Sequence, residues 1–574
     1  MSDPQRISMV EAYRGKHVLL TGGSGFLGKV WLSMVLTHLP EIGKIYVFMR
    51  PKALVSGHQR FQNMVNSSQA FKPLHDRHGA DLTEFLADRL EVVEGNLEEP
   101  GLGFGPELTV RLERDLDLMI HCAGLVDFNP ELDKALAGNV LSTQYVADFI
   151  EGCQDAALLH ISTCYIAGSR SGHVSEKLVP NYAPEAEGYD AVAELDEAVA
   201  HARELRARNA TDKVRDEIEE EVEALLENRR EGKGSLRLRQ NLLRRGLRER
   251  LKDSLCDAGM DRARALGFPN TYTYTKSMAE SLLERRKDRI RMTILRPTIV
   301  ESAIGFPFTG WNESFNGSAP LAYVMGSWFR AVPAQPDAPF DIIPVDLVCR
   351  AMTISGGAAM LDCHAEVYQI GTSGRHRINV GRAAELITLA HRQHLRQRER
   401  SRAERVLKSR WDSTLVHRDD LFGVEIMRGA MQGAREALDL LPSKVRRKVR
   451  RLENRVNDID SKLADIEHMV DLYMPFMYEN FHVFESTAID RLAVVEEHFR
   501  FEPEKLIEWR SYWLDVHIPG LRRWAFPLIE GRRPERYRAA HRTTLTPPPN
   551  ERAADSDVNV NVPPLDRVPA VGEG

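Results

Sequence analysis

The sequence predicts an α/β fold: a doubly wound parallel sheet with an inserted helical subdomain, followed by a mainly helical C-terminal domain. Three observations predict it. Short apolar runs alternate with helical stretches through residues 16–160. A glycine-rich stretch, Thr21–Gly28, separates the first run from the first helix. A block dense in Glu and Arg then interrupts the rhythm at about 186–266. Alternating strands and helices make a sheet covered on both faces, so its strands are short and almost wholly apolar.

The runs His17–Thr21, Lys44–Phe48, Leu90–Val93, Leu116–Ile120 and Ala157–Ile161 are rich in Val, Ile and Leu and are expected as strands. Lys29–His38 and Asn139–Gly152 are expected as helices between them. In the 186–266 block, Val214, Ile218, Val222 and Leu225 fall at helical spacing. It reads either as a solvated helical hairpin or as a lid over a long substrate. Met292–Arg296 is the next expected strand, Phe340–Val348 a short strand entering a helix, and Tyr368–Gly371 another strand end. These complete a domain of residues 1–380. A charged helical segment, 381–465, follows. Val445, Val449, Leu452, Val456, Ile459, Leu463 and Ile466 form a heptad seam, which suits a helix within a bundle or a coiled-coil homo-oligomer. Residues 466–535 form the C-terminal domain, and 536–574, rich in Pro, Asn and Asp without periodicity, a disordered tail.

At 574 residues, 43% hydrophobic and 28% charged, the chain has the composition of a soluble globular protein with more than one domain. A net charge of −6 gives no reason to expect nucleic-acid binding. Cysteines 122, 153, 164, 256, 349 and 363 have no metal-ligand spacing, so no metal is expected. The same spacing fits a reducing cytoplasm. The N-terminus leads into no apolar signal segment, and no run approaches the ~18 apolar residues of a spanning helix. Leu521–Ile529 joins cations to an aromatic run. Peripheral membrane contact through 521–533 and a packed helix end both account for it. His391 and His394 have ligand-like spacing but no third partner, and read as a solvated helix face.

Thr21-Gly-Gly-Ser-Gly-Phe-Leu-Gly28 follows a strand and opens a helix. Its glycines permit a tight turn and close backbone approach to a pyrophosphate, and the helix N-terminus adds positive potential. This is a Rossmann-type dinucleotide site, with Thr21, Gly22, Ser24, Gly25, Phe26, Leu27 and Gly28 as its expected contacts. The second strand ends Phe48-Met-Arg-Pro-Lys52, with no acid to bind a ribose 2′-hydroxyl. Arg50 suits a 2′-phosphate, so NADPH is the expected cofactor.

Tyr272 and Lys276 are four apart on an expected helix and share one face. A tyrosine so placed can protonate an oxygen that becomes negative as hydride reaches its carbon, and a nearby ammonium favours the phenolate. Ser162 and Thr163 end the fifth strand, where a hydroxyl can bond the same substrate oxygen. Ala123 and Gly124 are small residues after the fourth strand, where a cofactor passes, and Asn139 opens the next helix pattern. The alternative for Asn139 is an ordinary helix cap.

This constellation resembles the extended short-chain dehydrogenases. In their pattern the catalytic hydroxyl lies five residues before a glycine, as Thr163 lies before Gly168. The resemblance also gives Lys276 the nicotinamide ribose hydroxyls. Gly22–Lys29, His160–Gly168, Pro269–Lys276, Arg296-Pro-Thr-Ile-Val300, Pro307–Trp311 and Ile343–Asp346 resemble, more closely, the fatty acyl-CoA reductases. Tyr473-x-Pro-Phe476, Phe499-Arg-Phe501, Trp509, Tyr512 and His517–Gly520 are similar to that family's C-terminal male-sterility domain. Pro297 and Thr298 join the cofactor contacts on this resemblance. So do Asn96 and Leu97, although related enzymes often carry Asp at the Asn96 position. The gap from Thr163 to Tyr272 exceeds that of a minimal member because of the 186–266 block.

The resemblance implies reduction of a long-chain acyl-CoA by NADPH, with Tyr272, Lys276 and Thr163 catalytic and a fatty alcohol, a wax ester precursor, as product. It leaves open release of the aldehyde instead, and delivery of the acyl group by a separate acyl carrier protein. Two rival readings are an extended short-chain enzyme acting on a sugar nucleotide or sterol, and an NADPH-binding scaffold without catalysis.

Overall fold

The computed structural model of the chain describes residues 4–52, 54–228, 236–313, 317–326, 331–397, 414–416, 474–535 and 537–545. At its centre is a seven-stranded, all-parallel sheet. Its strands are β1 (His17–Thr21), β2 (Lys44–Met49), β3 (Leu90–Glu94), β4 (Leu118–His121), β5 (Ala157–Ile161), β6 (Met292–Pro297) and β7 (Val367–Ile370). Their spatial order is β3-β2-β1-β4-β5-β6-β7. The order reverses between β1 and β4, which opens the crevice where such sheets bind ligands.

Alternation along β1 shows why the strand is apolar throughout. Val18 and Leu20 enter one core with Trp31, Val35 and Met352, while Leu19 enters another with Met119, Val146 and Phe149. The first layer is carried by α1 (Phe26–His38) and α7 (Val345–Met360). The second is carried by α2 (Ser142–Gly152) and α6 (Thr271–Glu284).

Between β5 and α6 stand three helices: α3 (Ala191–Asn209), α4 (Asp212–Asn228) and α5 (Leu236–Ala265). Asp190 starts α3 by accepting from the N–H groups of Val192 and Ala193. Of the expected stripe, Ile218 and Val222 are buried, whereas Leu225 is exposed. Ile218 packs over Gly246, where a Cβ would lie 2.7 Å from its methyl. The base of the insertion is no loose hairpin. Leu195, Ala198, Ala202, Leu255 and Ala258 share a core with Tyr274, Met278 and Leu282 of α6. Arg262 bridges Glu194 and Glu197 at 2.9 and 3.2 Å, and the Tyr274 hydroxyl donates to Glu194 at 2.5 Å.

Residues 474–529 share the first core. Trp513, Leu514, Ile518 and Leu521 are buried with Trp311, Leu347 and Leu386. Short parallel pairs tie them in: Gly172–Val174 with His482–Phe484, and Gln5–Ile7 with Leu492–Val494. Leu521, Trp524 and Phe526 are buried, so 521–529 takes the packed form of its two readings.

Three expectations change. His391, in the helix Val380–Gln397, is buried rather than solvated; its Nε2 lies 2.8 Å from the Ala322 carbonyl oxygen and its ring stacks on Phe526. The expected tail is seated through residue 545. Asn66 exchanges two 2.9 Å bonds with the Thr543 backbone, and Tyr537 meets His75. The paired polar groups outweigh the absence of periodicity there. Asn139 does not open a helix, nor cap one as the alternative had it: it lies within the π-turn Leu136–Leu141 that runs into α2. The 445–466 seam falls outside the described residues.

Candidate active site

β1 delivers the chain at Thr21, and the loop turns on Gly22, whose φ is +71°. A Cβ there would sit 2.7 Å from the Ala123 nitrogen, and one on Gly28 would collide with the Gly22 carbonyl oxygen. Only glycine leaves this cradle open. Gly25 donates to Gly22 at 2.8 Å and starts α1 with no capping side chain, leaving the first N–H groups, at Phe26, Leu27 and Gly28, outside the helix's own ladder. Ser24 is exposed at the lip. The Phe26 ring stacks on Trp311 at 5.0 Å, while the Leu27 carbonyl accepts from the Cys349 thiol. These two contribute backbone to the cradle and side chains or carbonyls to the fold.

The Thr21 hydroxyl faces inward. It accepts from the N–H groups of Cys122 and Ala123 at 3.1 and 3.2 Å and lies 3.0 Å from His121 Nδ1. Thr21 therefore fixes the 122–124 loop rather than reaching a ligand through its side chain. Asn139 fixes the same loop from the other side. Its amide oxygen accepts from the Leu125 N–H at 2.7 Å, and its amide nitrogen donates to the Leu125 carbonyl and to Thr275 of α6.

Arg50, at the end of β2, is largely exposed and pairs with Glu98 at 2.9 Å. Asn96 holds the turn carrying Glu98: its Oδ1 accepts from the Glu98 N–H and its Nδ2 donates to Glu99. Leu97 packs against the second core. Thr298 follows β6 with both its N–H and hydroxyl on the Ile370 carbonyl, at 3.0 and 3.3 Å.

Asn270 caps α6 by accepting from Thr273 N–H at 2.9 Å, which sets the rotation of Tyr272 and Lys276 toward the sheet ends. Lys276 is buried and donates to the Ile161 carbonyl at 2.9 Å. Gly124 lies against it; a Cβ there would stand 3.3 Å from the ammonium. Burial lowers the Lys276 ammonium to about 8, with Cys122 and Glu280 opposing. Thr163 lies beside Tyr272; its hydroxyl accepts from Tyr165 N–H at 3.3 Å and lies 3.5 Å from the Pro297 carbonyl oxygen. Ser162, by contrast, is buried with no partner for its hydroxyl among the described residues. The structure thus brings Thr163, Tyr272, Lys276, Gly124 and Asn139 into one place.

The electrostatics differ from the expected phenolate. Burial pushes the Tyr272 phenol up, against a smaller downward pull from Thr163. Such a group keeps its proton at neutral pH and donates it, which is what a reduction needs.

Sequence reasoning gave no role to several groups here, although Arg296, His160, His517 and Phe476 stand in its motifs. Arg296 and Glu280 form a buried fork of 2.5–3.1 Å contacts joining β6 to α6. A signal existed: Tyr272, Lys276 and Glu280 recur every four residues on one face. His121 and His160 lie beneath Lys276, both with pKa lowered, by burial first and then by the Lys276 charge. Glu301 is wholly buried 3.5 Å from His517, whose ring reaches Ser318 at 2.8 Å and Ser302 at 2.9 Å. Burial raises the Glu301 carboxyl to about 8 and lowers His517 to about 3. Phe128 stands 6.3 Å from the Tyr272 ring, and Phe476 5.8 Å from Phe128.

A dinucleotide cradle facing a tyrosine, a lysine and a threonine defines an oxidoreductase of the short-chain type that uses a nicotinamide cofactor. The family model described as male sterility protein matches residues 20–352, and the chain belongs to that family, the fatty acyl-CoA reductases. It is 26% identical to the alcohol-forming fatty acyl-CoA reductase of Simmondsia chinensis, over 90% of this chain and 98% of that one. It is 27% identical to the probable fatty acyl-CoA reductase 4 of Arabidopsis thaliana, over 89% and 98%. Fatty acyl-CoA reductase 1 of Gallus gallus matches at 27% over 61% of this chain and 56% of its own. Among solved structures, the terminal R domain of the myxalamid pathway has the same fold, with a TM-score of 0.51 and 15% identity over 93% of this chain and 95% of that one. Among the described residues no helix is long and apolar enough to cross a membrane, and no cluster of side chains could hold a metal ion.

Proposed function

We propose that this protein reduces long-chain fatty acyl-CoA to the fatty alcohol through an aldehyde held at the site, with NADPH as reductant. The observation that carries the chemistry is the Thr163–Tyr272–Lys276 cluster beside a glycine cradle that a single Cβ would fill. The family relatives carry the choice of substrate.

Gly22, Gly25, Gly28 and the first N–H groups of α1 would hold the pyrophosphate, and Arg50 the 2′-phosphate. Ala123, Gly124 and Lys276 would line the ribose side. When bound, the cofactor supplies hydride to the carbonyl carbon. Tyr272 and Thr163 bond the carbonyl oxygen, and Tyr272 gives it a proton as negative charge develops. Lys276, mainly protonated below about pH 8, stabilises that charge. The resulting hemithioacetal loses the thiol and leaves the aldehyde. A second round, with one more hydride and one more proton, gives the alcohol. Six free cysteines and the composition fit a cytoplasmic enzyme.

The test incubates purified protein with hexadecanoyl-CoA and NADPH, counts nicotinamide oxidised per thiol released and identifies the lipid. Two equivalents with hexadecanol are expected. One equivalent with hexadecanal would reduce the assignment to an aldehyde-forming reductase, and no turnover of any acyl thioester would refute it.

A further inference from the structure

We propose that Phe476, supplied by the C-terminal part of the chain, forms with Phe128 and Tyr165 the wall that selects the width of the acyl group next to its carbonyl. This rests on the acyl-thioester reading of the site.

Four aromatic residues from four distant segments meet here. Phe128 comes from the loop after β4, Tyr165 from the turn after Thr163, Tyr272 from α6, and Phe476 from the turn Pro475–Glu479. Phe476 stands 4.9 Å from Tyr165, edge-on, and 5.8 Å from Phe128, which in turn stands 6.3 Å from Tyr272. Each of the four keeps part of its surface accessible, although the elements around them are deeply buried. Rings that meet yet stay partly open line a crevice rather than fill a core. The Tyr165 hydroxyl takes no hydrogen bond among the described residues, so that wall offers a ligand mainly ring surface.

Phe476 is held there from both sides. Gln335 donates from its backbone to the Met477 carbonyl and from its amide to the Tyr478 carbonyl, both at 3.2 Å. Downstream, His482–Phe484 pairs with Gly172–Val174, and His482 Nε2 lies 3.0 Å from the Gly168 carbonyl oxygen, just past the catalytic threonine. Met474 and Met477 are buried on either side of it. A ring so fixed presents a rigid edge.

The wall starts one ring away from the proton donor, so it faces the first few carbons of an acyl chain. It should therefore sense width at those carbons more than total length. A hydrophobic contact of this kind discriminates by about tenfold per methyl group.

The experiment compares kcat/KM for hexadecanoyl-CoA and 2-methylhexadecanoyl-CoA in the full-length protein and in Phe476→Ala and Phe476→Leu. It also measures binding of cis-parinaric acid, a fluorescent unbranched chain, which needs no turnover. The preference for the straight chain should fall by about tenfold in Phe476→Ala and less in Phe476→Leu, with NADPH affinity unchanged. Parinaric acid should bind more weakly to both variants. An unchanged preference together with unchanged probe binding would overturn the proposal. If no form of the protein turns over an acyl-CoA, the acyl-thioester reading fails, and the probe alone decides whether Phe476 lines an apolar groove.

Discussion

The cradle at residues 21–28, open at Ser24 and Gly25, and the fully buried Glu301–His517 junction are both polar regions, built in opposite ways. The cradle is local. Its turn closes backbone to backbone, Gly25 to Gly22, and a single side chain, the Thr21 hydroxyl, takes the Cys122 and Ala123 N–H groups of the neighbouring strand end. The junction is long-range. Ser302 and His517 are 215 residues apart, and the Tyr512 hydroxyl reaches the Ser302 carbonyl at 2.8 Å. The Gly25–Gly22 turn is set by local backbone geometry and tolerates no added atom at Gly22 or Gly28. A side-chain network across the chain makes the C-terminal part integral to the catalytic fold, and depends on every member being present.

The comparison can be broken at several points. Tyr272→Phe removes the proton donor while leaving the ring packing, and should lower kcat by about 10²–10⁴-fold with NADPH affinity retained, as steady-state kinetics and cofactor fluorescence would show. Glu280→Ala leaves Arg296 buried without its carboxylate and should cost about 3–5 kcal/mol in denaturant unfolding. The loss belongs to stability before it belongs to chemistry. Gly22→Ala acts on the cradle alone: NADPH binding should weaken by at least about tenfold, with much smaller change in unfolding than Glu280→Ala gives.

Smaller effects sharpen the contrast. Arg50→Asp should raise the KM for NADPH about tenfold and lower that for NADH, because it replaces an exposed cation suited to a 2′-phosphate with an acid suited to the 2′-hydroxyl. At the junction, burial raises the folded Glu301 carboxyl to about 8 from an ordinary 4.5 and lowers His517 to about 3 from an ordinary 6.5. The two oppose each other up to about pH 6.5; above it only Glu301 makes the folded protein hold the extra proton, so stability falls as pH rises from about 6.5 to 8. Glu301→Gln should flatten that slope in urea titrations without altering the cofactor KM.

The same division explains what the sequence discloses. β1 and β5 have the bounds their apolar runs predict, and the glycine loop, Thr163, Tyr272 and Lys276 fall where strand ends and helix spacing put them. Those features depend on near neighbours. Asn139 reads as the opening of a helix, with a cap as the alternative; its actual place inside a π-turn follows from Leu125 and Thr275, the latter 136 residues away. His391 reads as solvated because its helix is charged, yet Phe526 and Ala322 cover it. The tail through Leu545 lacks periodicity but finds partners in Asn66 and Gln62. The Glu301–His517 contact joins two segments far apart in the chain, and no spacing within either segment points to the other.

The most direct measurement follows the transferred hydrogen. Protein supplied with hexadecanoyl-CoA and NADPH deuterated at its transferable position should yield hexadecanol carrying two deuterium atoms at C1, by mass spectrometry, with none formed by Tyr272→Phe at a comparable rate. Hexadecanol or hexadecanal without deuterium at C1, or the same product formed equally fast by Tyr272→Phe, would contradict the account.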